Sequence, residues 1–154
     1  MAYTANRIER IRTMLSAQNL SCLYIHSLSN IVWITGFERV FDTENAHACF
    51  IASERCILHS DSRYSEALQR EAYQTDIDIN EDRISHEKAL FKFLNECFDR
   101  ESLSQNSAIT IGIEDSIPLS EFRKLEREKN EWTSHMNIDS SAVQFVELSG
   151  CIES

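Results

Sequence analysis

Two apolar runs, residues 46–52 and 56–59, are separated by Ser53, Glu54 and Arg55 alone. A connection that short closes an antiparallel hairpin, whereas a parallel crossover needs about a dozen residues or more. Two neighbouring strands are therefore antiparallel, and the rest of the chain must be arranged around them.

On either side of that hairpin the hydrophobic period switches repeatedly between helix and strand. Ile8, Ile11 and Leu15 recur at helical spacing among Arg7, Glu9, Arg10 and Arg12, and Gln18-Asn19 offers an exit before the apolar Cys22-Leu23-Tyr24-Ile25. Ser29 is placed to cap a short helix over 31–34, and Gly36 to end it in the left-handed conformation. After Asp61 a helix carries Tyr64, Ala67, Leu68 and Ala72, and the alternating Asp76-Ile77-Asp78-Ile79 reads as a half-buried or edge strand. From Ser85 onward, Leu90, Phe93, Leu94, Cys97 and Phe98 form one apolar stripe that should lie flat on a sheet. Residues 109–113 read as a strand. Pro118 suits the first turn of a helix carrying Phe122 and Leu125, and residues 142–148 make a last strand. The polar stretches 99–107 and 129–141 read as loops. The expected fold is α/β, in two or three layers, with helices packed on a mixed, mostly parallel sheet that contains one internal hairpin. At 154 residues the chain is expected to be one domain, of a size that buries about 70% of its unfolded surface.

Charge and composition exclude several classes of function. A net charge of −10 with no Lys/Arg cluster repels phosphate backbones, so nucleic acid is not an expected partner. No apolar run approaches the roughly 20 residues that span a bilayer, and the N-terminus lacks the apolar core of a secretory signal; a cytoplasmic location and no membrane partner are expected. The odd set Cys22, Cys49, Cys56, Cys97 and Cys151 has no Cys-x-x-Cys pair and reads as reduced, buried thiols. Gly36, Gly112 and Gly150 stand too far apart for a phosphate loop.

Few residues are placed for chemistry. If the hairpin turn is three residues long, His47 and Cys49 could share a face with His59 and Asp61 and offer four zinc ligands. A one-residue change in register flips every face, and the preferred reading is that these side chains pack or face solvent, with no metal held by the chain. His26, His86 and His135 have no nucleophile at helical or cross-strand spacing, so no hydrolytic pair is expected and no catalytic residue is assigned. Asp61, Arg63 and Tyr64 stand out at a strand end, where Asp61 can cap a helix and Arg63 can offer its planar fork to a carboxylate.

Several short motifs occur in a telling order: an opening helix with paired arginines over 7–15, Asn30 and Trp33 ahead of Thr35-Gly36-Phe37, then Asp61-x-Arg63-Tyr64, then Ile111-Gly112-Ile113-Glu114. Together they resemble the N-terminal domain of the creatinase and prolidase family, which includes Xaa-Pro aminopeptidases and Xaa-Pro dipeptidases. The resemblance covers nearly the whole chain and implies a ribonuclease H-like fold. It also implies a following pita-bread catalytic domain, in which two aspartates, a histidine and two glutamates hold two divalent ions, manganese or cobalt. Nothing in this chain matches that second half, so residues 1–154 are expected to be a single N-terminal domain, inactive alone and without a cofactor of its own. The expected partners are its own C-terminal catalytic domain and a second copy in a dimer. Phe37, Asp61, Arg63 and Tyr64 are then the expected residues of a subunit contact or substrate entrance. The alternative is a free-standing module on the same fold that binds a peptide or a protein. Glu38-Arg39-Val40-Phe41-Asp42 departs from the small residues many relatives carry there.

Overall fold

The computed structural model describes residues 2–37, 46–73, 75–98 and 108–148. In chain order the elements are α1 (Ala2–Ala17), β1 (Cys22–Ile25), α2 (Leu28–Thr35), β2 (Ala48–Ala52), β3 (Cys56–His59), α3 (Ser65–Ala72), β4 (Ile77–Asn80), α4 (His86–Cys97), β5 (Ile109–Glu114), α5 (Leu119–His135) and β6 (Val143–Leu148). Among the described residues the strands form one sheet of six in the order β4-β3-β2-β1-β5-β6. The pairs β3/β4, β1/β5 and β5/β6 are parallel, while β2 is antiparallel to both of its neighbours. Only β2 therefore opposes the others, and the Ser53-Glu54-Arg55 hairpin is its cause. The turn closes with the Ala52 N–H donating to the Arg55 carbonyl at 2.8 Å.

The inner strands β1, β2, β3 and β5 are buried on both faces and alternate between two cores, as a period of two requires. Leu23, Ile25, Cys49, Ile51 and Leu58 pack with Ile8, Ile11 and Leu15 of α1, Ile31 and Ile34 of α2, and Leu68 of α3. Cys22, Tyr24, Phe50 and Ile57 pack with Leu90, Phe91, Phe93 and Leu94 of α4 and with Leu125 and Trp132 of α5. The result is three layers. Phe50 centres the second core, with ring centroids 5.6 Å from Tyr24 and 5.8 Å from Phe93; burial of one such ring is worth about 1.5–3 kcal/mol.

Helix ends follow local chemistry. Asn19 (φ 56°) and Asn137 (φ 59°) take the left-handed conformation that ends α1 and α5. In each case the N–H one residue further on returns to a carbonyl five residues back, Leu20 to Leu15 at 2.8 Å and Ile138 to Thr133 at 2.9 Å, which covers otherwise orphaned carbonyls. Gly36 (φ 75°) ends α2 with its N–H on the Val32 carbonyl. Ser85 caps α4 by accepting the Lys88 N–H.

Three expectations are corrected. Ser29 lies inside α2, whose N-cap is Ser27, because the helix starts as soon as β1 ends. Pro118 is the N-cap of α5 and not its first helical residue. Residues 129–135 are helix, not loop: Trp132 continues the stripe of Phe122 and Leu125, and the indole N–H donates to Asn95 Oδ1 of α4 at 3.0 Å. The intervening Glu126–Lys129 pair and other charges on the solvent face hide that stripe from a reading of polarity. The expected loop at 99–107, the departure at 38–42, Gly150 and Cys151 lie outside the described residues.

Candidate functional site

Every strand but β2 ends at the same edge of the sheet, and β2 begins there. Open α/β sheets place ligands beyond this carboxyl edge, where loops leave the strands and helix N-termini converge. Several of the motif residues meet there. Glu114, at the end of β5 and only 4% exposed, accepts the backbone N–H of His26 at 2.6 Å and that of Ser27 at 2.9 Å through Oε1. Its Oε2 accepts the amide of Asn30. One carboxylate thus satisfies the open N–H groups where the chain turns from β1 into α2, and Asn30 anchors the helix to it. Gly112, two residues earlier, is closely packed: a Cβ there would lie 2.7 Å from Leu148 Cδ1 and 3.0 Å from Leu23 Cδ1, so those side-chain ends would have to shift. Arg7 donates to the Trp33 carbonyl and sits 4.4 Å from the Trp33 ring centroid, tying α1 to α2. These residues brace the fold rather than react.

Beyond the brace lie two adjoining cavities. The first, of about 390 Å³, lies between the starts of α4 and α5 and includes His26, His47, His86, Glu121 and Lys124 in its lining. The second, of about 520 Å³, lies beyond β3 and β4 and includes His59, Asp61, Arg63 and Asp82. Both are bordered by Ile84 and His86. Four of the chain's five histidines, scattered in sequence, are thereby gathered at one edge. His26 lies 3.9 Å from Glu121 Oε2 and within 3.3 Å of Ser116 Oγ. Glu121 also accepts the Tyr24 hydroxyl at 2.9 Å; burial first, and then this carboxylate, push the Tyr24 pKa up. His47 Nδ1 lies 2.7 Å from Ser60 Oγ, and its ring meets the edge of Tyr64 at 4.7 Å.

The expected contact residues split between surface and core. Asp61 is exposed and accepts the Arg63 N–H at 2.9 Å, which, ahead of the charge of Arg63, holds its carboxyl below the usual range. The Arg63 side chain is 70% exposed, lies 3.4 Å from Asp61 Oδ2 and stands over the Tyr64 ring at 5.6 Å. Tyr64 is half-buried against the α1–α3 core. Phe37 is buried in that same core, 3% exposed, with its N–H on Thr35 Oγ1. Asp61 and Arg63 thus form one exposed pair beside the half-buried Tyr64, and Phe37 supports α2 from inside.

The four possible zinc ligands do not converge. Ala48 pairs with His59 and Cys49 with Leu58, so Cys49 joins the α1–α3 core while His59 points the other way, stacked 6.4 Å from Phe50. The turn is as short as expected, but the register it sets is offset by one residue from the reading that would have aligned the four. Among the described residues no group of three or more His, Cys, Asp or Glu is arranged to hold a metal. Cys49 and Cys56 are buried free thiols with their sulfurs 3.8 Å apart. The role of Glu114 was visible only as a motif position; a lone Glu ending an apolar strand is the one signal that pointed to it.

A family profile described as the Creatinase/Prolidase N-terminal domain matches residues 7–154. No curated protein matches. Among solved structures, the fold is similar to an Xaa-Pro aminopeptidase from Streptococcus pyogenes, with TM-score 0.70, 21% identity, and 99% of this chain and 96% of that chain covered. It is similar to an Xaa-Pro dipeptidase from Bacillus anthracis, with TM-score 0.70 and 17% identity; 97% of this chain is covered but only 35% of that one. The N-terminal domain of the cytoplasmic peptidase PepQ from Mycobacterium tuberculosis H37Rv aligns with TM-score 0.63 and 17% identity over 96% of each chain.

Proposed function

The chain belongs to the creatinase/prolidase N-terminal domain family, and from that premise we propose that it is the non-catalytic N-terminal domain of a metal-dependent Xaa-Pro peptidase. In this reading it joins subunits and shapes the substrate entrance of a catalytic site carried by a following domain in the cytoplasm. The observation that carries the reading is the family match over residues 7–154, in a chain whose described residues hold no three-ligand metal group. The pair of divalent ions that the family uses, manganese or cobalt, does not fit the described part of this chain, and no step of hydrolysis runs through these residues.

What the chain supplies is a shaped, charged rim. Arg63 is exposed, and its fork matches a carboxylate of a peptide or a neighbouring subunit. Asp61 holds the Arg63 backbone, and Tyr64 lies beneath the guanidinium, so the cation is presented from a fixed base. Phe37 contributes by fixing the end of α2.

The test has two parts. The purified chain, supplied with manganese or cobalt, is expected to leave Xaa-Pro dipeptides intact, and measurable release of proline would overturn the reading. In the full-length enzyme, Arg63→Ala is expected to raise KM or weaken dimerisation in sedimentation experiments; unchanged values for both would remove Arg63 from the entrance. The reading frame beyond the Ser154 codon separates this reading from a free-standing binding module, through the presence or absence of an Asp, Asp, His, Glu, Glu ligand series.

A further inference from the structure

The β6 side of the sheet carries an apolar groove that neither the Glu114 brace nor the two histidine-lined cavities use. Strand β6 is last in the strand order and pairs only with β5 among the described residues. Where β5 and β6 end, a cavity of about 310 Å³ opens beside the start of α5. It is lined by Phe122 and Phe145, packed edge to face with ring centroids 5.7 Å apart, and by Ile117 and Leu119. Phe122, Phe145 and Ile117 are half-buried, and Leu119 is 61% exposed. Tyr73 and Ile84 are also exposed large apolar residues, but Ile84 lies between cavities lined mainly by polar and charged residues, and Tyr73 stands apart after α3. Single exposed apolar residues are ordinary, whereas a contiguous group beside an open strand edge marks a contact surface.

The rim of the groove is acidic. Asp115 and Glu147 line it, and both are exposed. Among the described residues neither carboxylate takes part in an ion pair. The Asp115 N–H donates to the Leu148 carbonyl at 3.0 Å, which fixes this rim to the end of β6. Lys129 reaches the aromatic pair, with Nζ 5.8 Å from the Phe145 centroid, but it is shared with Glu126 at 3.4 Å.

We propose that this groove docks the domain that follows in the full-length protein, taking a large apolar side chain of that domain against Phe122 and Phe145 and a flanking Lys or Arg against Asp115 and Glu147. The inference rests on the reading that a catalytic domain follows, and it names the face of this chain that such a domain meets. Glu147 and Leu148 are the last residues of β6. A domain tethered beyond them therefore meets the groove at a raised effective concentration. The chain spans only 35% of the Bacillus anthracis dipeptidase that it resembles, which leaves ample length for such a domain. The unpaired carboxylates favour a basic partner. They also disfavour a second copy of this chain, whose net charge is −10, because a two-fold contact would bring each rim toward the same carboxylates of the other copy.

The experiment is amide hydrogen exchange, read by mass spectrometry, on the full-length protein and on the 154-residue chain. Exchange over 115–122 and 143–148 is expected to be about tenfold slower or more in the full-length protein, and exchange over α3 to be the same in both. Leu119→Glu should abolish the difference while leaving the Tm of the 154-residue chain within about 2 °C of wild type, because the side chain is mostly in water. The double variant Asp115→Lys with Glu147→Lys reads the same contact through charge, should Leu119→Glu fail to fold, and is expected to speed exchange at the same segments about tenfold. Equal exchange in the two proteins, or slowing that survives both variants, would overturn the docking and leave the N-terminal-domain reading in place. Slowing that appears in the 154-residue chain alone as its concentration rises would give the groove to a second copy, and would overturn the docking too. A reading frame that ends without a further domain would overturn that reading and the docking with it, so the two failures are told apart.

Discussion

Glu114 ends β5 and Asp61 follows β3, so both carboxylates lie at the carboxyl edge of the sheet near the start of a helix. Glu114 is buried, and its oxygens are engaged by two backbone N–H groups and the Asn30 amide. Asp61 is exposed and bonds within its own turn, to the Arg63 N–H. The difference comes from what surrounds each strand end. β5 lies between β1 and β6 inside the sheet, so its last residue is roofed by the turn from β1 into α2. β3 has only the four-residue edge strand β4 beside it, and its exit stays open to water. A motif position can therefore mark a brace or a contact, and burial separates the two.

The comparison can be broken most sharply at Glu114. Glu114→Ala leaves two part-buried backbone donors and an amide unmatched, at about 1–3 kcal/mol for each group that water does not reach. A loss of about 3 kcal/mol or more is expected in denaturant unfolding; a loss below about 1 kcal/mol would mean that water replaces the carboxylate and that the brace is not structural. Gly112→Ala tests the same region through packing. The new methyl must displace Leu148 and Leu23, and overpacking of this kind costs about 1–3 kcal/mol, read as a lowered Tm. Arg7→Ala removes one charged hydrogen bond and a cation–π contact at a half-exposed site, and a cost of about 1 kcal/mol is expected. At the other junction, Arg63→Ala should shift stability by no more than about 0.5 kcal/mol, so that any change it makes in assembly or KM reports function. Asp61→Asn should show its effect at neutral pH and lose it in acid. The Arg63 N–H holds the Asp61 carboxyl below its ordinary 3.8, so the contribution is present above that pH and fades as pH falls through the lower folded value. The two proteins should converge at the acid end of a pH series of melts.

Much of the architecture was legible in residue order. The three-residue connection 53–55 implied the hairpin, the stripe from Leu90 implied a helix on the sheet, and the Asp76–Ile79 alternation implied a half-buried or edge strand; β4 lies at the edge. The helix over 129–135 was missed because its apolar positions are few, and Trp132 finds its burial against α4, which sequence spacing does not show. The hairpin was correctly placed, yet its register was not. A turn constrains strand pairing to within a residue, and one residue is the whole difference between His59 facing Cys49 and His59 facing His86.

The candidate site was legible only in part. Asp61, Arg63 and Tyr64 are adjacent in the chain, so their grouping needed no fold. The gathering of His26, His47, His59 and His86 did. Only His47 and His59, on the two strands of one hairpin, had a cross-strand relation to announce them; His26 and His86 come from separate stretches of the chain. The sequence by itself determined the element types, their order and the family, because periodicity, turn length and short motifs are local properties of the chain. Only the tertiary structure decided which motif residues are braces and which histidines meet, because burial and contact arise where distant strand ends converge on one edge of a sheet.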